Sequence, residues 1–204
     1  MIVRIELLSD GVFGSGQSIP GMEDISVIHD DYGFPYLSGS NFKGNLRETV
    51  ENICTWTGHN EEVLDRLFGK GDEKGIAGNV AGQLAISDFT LPLEVRQAVL
   101  EELQIKSLED RERYMDYVLD IFSEIRTFTA LEDNVAKAES LRTARCICEG
   151  LVFYGQIEVP DKDDETFLKE ALGQMKWLGT MRTRGFGQVR VSDWGETWHE
   201  NSYI

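Results

Sequence analysis

Residues 2–8 alternate, with Val3, Ile5 and Leu7 on one side and Ile2, Arg4 and Glu6 on the other, a period of two that predicts a strand. Gly11, Gly14, Gly16 and Gly21 then mark a loop of about a dozen residues. Val27-Ile28-His29 and Pro35-Tyr36-Leu37 flank Asp30-Asp31-Tyr32-Gly33, the pattern of a hairpin or tight turn. The period then changes. Phe42, Leu46, Val50 and Ile53 fall at i, i+4, i+8 and i+11, one apolar stripe of a helix that Ser40 or Asn41 can cap. Leu67-Phe68-Gly69 closes a shorter segment, residues 69–82 predict a glycine-rich loop, and Gln83 to Phe89 resembles a strand.

Residues 94–104 predict a helix, and Ser107-Leu108-Glu109-Asp110 offers the cap of another. Tyr114, Val118, Ile121, Phe122 and Ile125 keep helical spacing, and near Ser123 the pattern turns to alternation, predicting a strand to about Phe128. Residues 129–144 are irregular and carry both charge signs. Leu151, Phe153, Gly155, Ile157 and Val159 alternate as a strand. Leu168, Ala171, Leu172, Met175 and Leu178 form the stripe of a last helix, capped by Asp163 or Asp164 and stopped by Gly179. Gly187 to Val191 predicts a closing strand. The order fits an α+β, ferredoxin-like (RRM-like) sandwich with helical and hairpin insertions, at about 92–122 and 129–144, in a single domain over 1–204.

Composition narrows the class. The chain has 204 residues, 41% of them hydrophobic, enough for an ordinary core. Its first residues are too short and charged for a signal peptide, and no apolar run nears the roughly 20 residues of a membrane span. A soluble, cytoplasmic protein is expected. Cys54, Cys146 and Cys148 are odd in number and lack paired spacing, so they predict no disulfide framework or zinc knuckle. His29, His59 and His199 are scattered and complete no metal cluster.

Charge complicates any binding of polyanions. Lys plus Arg is 20 and Asp plus Glu is 36, a net of -16, which repels nucleic acid at long range. The distribution is uneven, however. Gly179 to Arg190 holds three arginines and no acid, and Tyr36 to Arg47 holds Lys43 and Arg47 and no acid.

These two basic stretches also carry the candidate chemistry. In the first, Pro35-Tyr36-Leu37-Ser38-Gly39-Ser40-Asn41-Phe42-Lys43-Gly44-Asn45-Leu46-Arg47 runs from a strand end through a small-residue turn into a helix. A helix start exposes unpaired N–H groups, Gly39 and Gly44 would admit a polyanion backbone, and Lys43 and Arg47 share a face at i and i+4. The plain alternative is a capped helix with two solvated cations. In the second, Leu178-Gly179-Thr180-Met181-Arg182-Thr183-Arg184-Gly185-Phe186-Gly187-Gln188-Val189 alternates glycines and arginines. Its backbone N–H groups, the forks of Arg182 and Arg184 and the ring of Phe186 can hold phosphates and stack on a base, with Gly185 and Gly187 opening the loop. The alternative there is a helix-stop glycine before a tight turn.

Together the two segments, with Leu67-Phe68-Gly69 between them, resemble the RAMP (repeat-associated mysterious protein) superfamily from about Gly11 to Val191. The resemblance implies a ferredoxin-like RNA-binding fold that polymerises along a CRISPR guide RNA. Its partners would be guide RNA, target RNA, other effector subunits and further copies of itself. Gly21-Met22-Glu23-Asp24-Ile25-Ser26-Val27-Ile28-His29-Asp30 resembles the loop of the type III backbone nuclease subunits, whose aspartate cuts target RNA. Asp24 falls at that position, although Ile25 and Ser26 stand where the family has small or proline residues, and Glu23 adds a carboxylate. In the family the 2′-OH attacks the adjacent phosphodiester and a divalent metal, Mg2+ by expectation, is required. A carboxylate could accept the hydroxyl proton or help seat the cation.

Arg126 to Thr143 resembles the family's thumb-like hairpin, which wedges between bases of guide and target. Leu131, Val135 and Leu141 are candidates for its apolar tip, and Arg126, Arg142 and Arg145 for its phosphate contacts. The expected RNA-binding set is therefore Ser40, Asn41, Lys43, Arg47, Arg126, Arg142, Arg145, Arg182, Arg184, Gly185 and Gly187, with Asp24 catalytic. Asp30 and Asp31 read as turn residues and His29 as a strand residue able to do acid–base chemistry. A non-cleaving scaffold subunit and a stand-alone anion-binding domain are the alternatives.

Overall fold

Val3, Ile5 and Leu7 are buried while Arg4 and Glu6 between them stay at the surface, so the first alternating run folds as a half-buried strand. In the computed structural model the chain runs through β1 (Ile2–Leu7), α1 (Gly39–Thr57), α2 (Glu62–Phe68), β2 (Gly69–Lys70), β3 (Val80–Ala81), β4 (Ala85–Ile86), α3 (Leu93–Glu102), α4 (Leu108–Phe122), β5 (Ser123–Phe128), β6 (Leu131–Glu132), β7 (Val135–Ala136), β8 (Arg142–Ile147), β9 (Val152–Glu158), α5 (Lys162–Gln174), a 3-10 turn (Arg182–Arg184) and β10 (Val189–Gly195). The structure describes residues 1–19, 22–58, 62–70, 80–105, 107–129, 131–132, 135–136 and 141–195. Among these, no helix is long and apolar enough to cross a membrane.

The main sheet has the order β10-β1-β9-β4, and every neighbouring pair is antiparallel. Strand β1 is thus central, hydrogen-bonded to the last strand on one side and to β9 on the other. This is the ferredoxin-like arrangement the sequence predicts, with α1 and α5 as its two crossover helices. Their stripes, Phe42, Leu46 and Val50 from α1 and Leu168, Ala171 and Leu172 from α5, join the inward residues of β1, β9 and β10 in one core. Arg66 of α2 reaches α5 through an ion pair with the buried Asp164, 2.5 Å.

Several boundaries differ from the sequence reading. Ser38, rather than Ser40 or Asn41, caps α1, its hydroxyl accepting the Asn41 N–H. Asp161, rather than Asp163 or Asp164, caps α5 by accepting the Asp163 N–H, because Asp164 is turned inward to Arg66. Helix α5 ends at Gln174, so Gly179 does not stop it; that glycine lies against the Val12 carbonyl instead. The strand expected over 83–89 is regular only at Ala85–Ile86. Beyond it, Ser87 and Thr90 bond to Gln156 and Tyr154, so one extra residue on this side bulges out, and Phe89 bridges Leu37.

The largest difference concerns 129–144, expected to be irregular, where β8 begins at Arg142 and pairs with β5 along its whole length. Ala144, Arg145, Cys146 and Ile147 are all buried, so the strand shows no alternation to read. Of the expected hairpin tip, Leu141 is 63% exposed, while the side chains of Leu131 and Val135 lie outside the described residues.

Candidate nucleic-acid interface

The glycine-arginine loop folds back onto two elements at once. Gly187 makes the return possible: with φ +75 and no Cβ it sits against the Leu178 carbonyl, and its own carbonyl accepts the Leu178 N–H at 2.8 Å. Arg182 then reaches α1, its Nη1 3.2 Å from Glu48 Oε2. Arg184 lies over the Phe128 ring at 5.6 Å, and Phe186 meets Phe128 edge-on at 5.5 Å. Ser9 donates to the Gly185 carbonyl at 2.9 Å. A cleft of about 520 Å³ opens here, lined by Arg126, Arg184 and Phe186 together with the acids Asp10, Glu124 and Glu149. The loop and strand β5, distant in sequence, thus present Arg126, Arg184 and the Phe186 ring to one concavity, with Phe128 packed against Phe186.

Lys43 and Arg47 do not join that cleft. Lys43 Nζ donates to the Leu84 carbonyl at 2.8 Å, and burial lowers its pKa. Arg47 bonds Glu51 at 2.8 Å and the Gly69 carbonyl at 3.3 Å. Both therefore flank the buried stripe on the β2–β4 side, whereas Glu48, about 100° further round the helix, faces the glycine-rich loop. The glycines of this segment also divide. A Cβ at Gly39 would collide with the Ile86 carbonyl, so this glycine serves the docking of α1 on β4 and not a polyanion, while Gly44 is open. Ser40 and Asn41 are exposed in the first turn of α1.

The expected cations of β5 and β8 carry carboxylate partners. Arg126 pairs with Asp10 at 2.8 Å and with Glu124. Arg142 stands 3.9 Å from Asp24 and is 68% exposed. Arg145 corrects the sequence reading outright. Its side chain is 7% exposed, with Nε 2.5 Å from Glu23 and Nη1 2.6 Å from Asp120 and 3.0 Å from Ser123. Burial opposes its charge, but these carboxylates outweigh it and raise its pKa. A guanidinium so enclosed is held by the protein and cannot serve as a phosphate contact.

Asp24 sits at the open edge of β8. Ile25 bridges Ala144 in parallel, the N–H groups of Asp24 and Ile25 both bond the Thr143 carbonyl, and the Thr143 N–H returns to Asp24 Oδ2 at 2.7 Å. The Asp24 side chain stays 44% exposed. Glu23 beside it is buried, and its Oε2 has no partner among the described residues. Asp30 does act as a turn residue, accepting the Tyr32 and Phe34 N–H groups, and His29 bridges Pro35 with Nδ1 2.9 Å from the Asp30 carbonyl. The sequence marks Glu23 only as an added carboxylate and gives no sign of the Phe128 contact or of Arg145 as the partner of Glu23. The second carboxylate beside Asp24 was the one local signal for the buried pair.

Among the described residues, no three His, Cys, Asp or Glu side chains group so as to hold a metal ion. Near Asp24 the neighbouring Glu23 is taken by Arg145, so the residues present do not fit a resident divalent ion.

A sequence profile described as the RAMP superfamily matches residues 4–190. The chain belongs to the RAMP superfamily. Solved structures agree on the fold. A chain of a type III-B Cmr-beta complex in its apo state is similar at TM-score 0.65 and 12% identity, over 93% of this chain and 95% of that one. A chain of type III-B Cmr-beta bound to cognate target RNA is similar at TM-score 0.66 and 12% identity, over 94% and 95%. Oligomeric Cmr4 from Pyrococcus furiosus is similar at TM-score 0.52 and 16% identity, over 94% and 96%. At these identities the likeness is one of fold. No curated protein matches the RAMP chain by sequence.

Proposed function

We propose that this RAMP protein is a guide-RNA-binding backbone subunit of a type III CRISPR effector, and that Asp24 cleaves target RNA paired to the guide. The observation that carries the binding half is the glycine-rich loop, which brings Arg184 and Phe186 to one cleft with Arg126, packs both on Phe128 and touches α1 through Arg182. Exposed guanidinium groups beside aromatic rings suit a ribose-phosphate strand. The same reading takes residues 1–204 as one domain, with the 92–122 helices and the 129–144 hairpin as insertions, working in the cytoplasm. Its partners are guide RNA, target RNA, further effector subunits and several stacked copies. In support, similar structures are described as bound to cognate target RNA and as oligomeric.

For cleavage, the target's 2′-OH attacks the adjacent phosphorus while Asp24 takes the hydroxyl proton; the P–O5′ bond breaks and the leaving oxygen takes a proton from water, giving a 2′,3′-cyclic phosphate and a 5′-hydroxyl. Thr143 orients the carboxylate through Oδ2, and Oδ1 stands 3.9 Å from the exposed Arg142, a cation suited to a phosphate beside it. A divalent ion, Mg2+ by the family's pattern, would have to arrive with the RNA phosphates, because Glu23 beside Asp24 is taken by Arg145. One observation favours a scaffold without cleavage: the bond from Thr143 gives Asp24 a purely structural use.

Asp24→Ala in the assembled complex separates the readings. Cleavage fragments should disappear while target binding stays, whereas unchanged fragments would clear Asp24 and leave the scaffold. Sequencing the RNA that co-purifies with the native protein tests the binding half, and nucleic-acid-free protein would favour the stand-alone anion-binding domain.

A further inference from the structure

A charged triad lies directly beneath the Asp24 loop. Glu23 is 2% exposed and Arg145 6% exposed, an uncommon pairing for residues of these types. Arg145 Nε donates to Glu23 on the loop, and Nη1 donates to Asp120 of α4 and to Ser123, the first residue of β5. One guanidinium on β8 therefore joins the loop, the end of α4 and the base of the β5–β8 hairpin. Its backbone takes part as well, since the Arg145 N–H bonds the Ile25 carbonyl at 3.0 Å. Glu23 Oε2 has no partner, so among the described residues the carboxylate is held through Oε1 alone.

We propose that Arg145 is a positioning residue for Asp24: through the buried Glu23 carboxylate it fixes the 22–26 loop on β8 and so sets where the Asp24 carboxylate stands. The inference rests on the cleavage role proposed above for Asp24. Removing Arg145 leaves a carboxylate buried without its cation, which a protein relieves by releasing the segment that bears it. Here that segment is the residue next to Asp24. A displacement of about 1 Å of a reacting group can cost about 100-fold in rate.

The test uses the assembled effector complex with its guide, carrying Arg145→Met, Arg145→Lys or Glu23→Met with Arg145→Met. Hydrogen exchange over residues 22–26 reads the pin, single-turnover cleavage reads its effect, and target affinity is measured alongside. Arg145→Met should speed exchange in the loop and slow cleavage about 100-fold, with target affinity within about twofold. Arg145→Lys keeps the charge but not the fork that spans Glu23 and Asp120, and should lose about tenfold. The double variant replaces the pair by apolar side chains, relieves the orphaned carboxylate and should recover most of the cleavage lost by Arg145→Met. A purely structural contribution would lower affinity and cleavage together and give no recovery. Unchanged loop exchange in both single variants overturns the pin. Faster exchange with unchanged cleavage, while Asp24→Ala abolishes cleavage, overturns the positioning role. If Asp24→Ala itself still cuts, the cleavage reading fails, and the positioning role goes with it whatever the exchange shows.

Discussion

Glu48→Gln asks whether the acidic body of the chain competes with RNA for its own arginines. Glu48 Oε2 lies 3.2 Å from Arg182 Nη1, and the two side chains are 57% and 42% exposed. Water screens such a pair, which is worth about 0.2–1 kcal/mol. A phosphate that takes Arg182 must first displace the carboxylate. Removing the carboxylate returns that amount, about 1.4- to 5-fold in Kd. Glutamine keeps the length and helix propensity of the residue, so α1 is undisturbed. Fluorescence anisotropy of a labelled single-stranded RNA, titrated with the isolated chain over a salt series, reads the effect. Glu48→Gln should bind more tightly at low salt, and the gain should fade as the Debye length falls from about 10 Å at 0.1 M to about 3 Å at 1 M. Arg182→Ala should weaken binding and flatten the salt slope by about 0.7, the value for one single-strand phosphate contact. Equal affinity of Glu48→Gln and the unaltered chain, with Arg182→Ala weakened, would refute the competition. No effect of Arg182→Ala would remove this arginine from the RNA path altogether.

Two further outcomes test the fold that carries the site. Gly155 faces inward on β9, where an added Cβ would stand 2.6 Å from the ring of the fully buried Phe89, itself packed on Phe42 at 4.4 Å; Gly155→Ala should cost about 1–3 kcal/mol, and an unmoved urea midpoint would contradict the packing. Acid should weaken the β1–β10–α5 edge. The Arg4 hydrogen bond, opposed by burial, lowers the pKa of Glu6, and at Asp193 burial is outweighed by bonds from Lys169 and the Gly195 N–H. Folded values below unfolded ones mean that this stability is present above the ordinary carboxylate range and lost as pH falls through the folded values. Glu6→Gln with Asp193→Asn should therefore flatten the acid limb of the stability curve, as followed by thermal midpoint against pH.

Where one face of an element is buried and the other wet, the chain announces its structure. Strands β1 and β9 and the stripes of α1 and α5 are of this kind, and so is the Ser107 capping box of α4. Strand β8 is not. It is enclosed on one side by β5 and on the other by Gly11 and Ile25, so its buried run from Ala144 to Ile147 has no polar face to set a period. The site shows the same division. The grouping of Arg182, Arg184 and Gly187 is legible as a candidate phosphate loop because the spacing is local. That Phe128 would meet Phe186, or that Arg145 would be spent on Glu23 across 122 residues, depends on tertiary pairing that no window of sequence contains.

The hairpin β5–β8 ties these parts to one another. Strand β5 sends Arg126 and Phe128 toward the glycine-rich loop, the side proposed to hold the guide. Strand β8 offers its far edge to the other end of the chain, where Ile147 bonds Gly11 and Thr143 bonds Asp24. Grip and proposed cut therefore hang on two adjacent strands in fixed register, Arg126 opposite Ala144 and Thr127 opposite Thr143. A ladder of backbone bonds resists shear along its length, so a shift of the hairpin against the glycine-rich loop must carry Thr143, and with it Asp24, the same way. The net charge of -16 then has a mechanical reading. Repulsion between the acidic surface and phosphates disfavours RNA on the lone chain, and Arg126 and Arg182 stay on their own carboxylates until neighbouring subunits supply further contacts. On that reading the cleft engages RNA, and the Asp24 loop meets its target, chiefly when the chain is assembled.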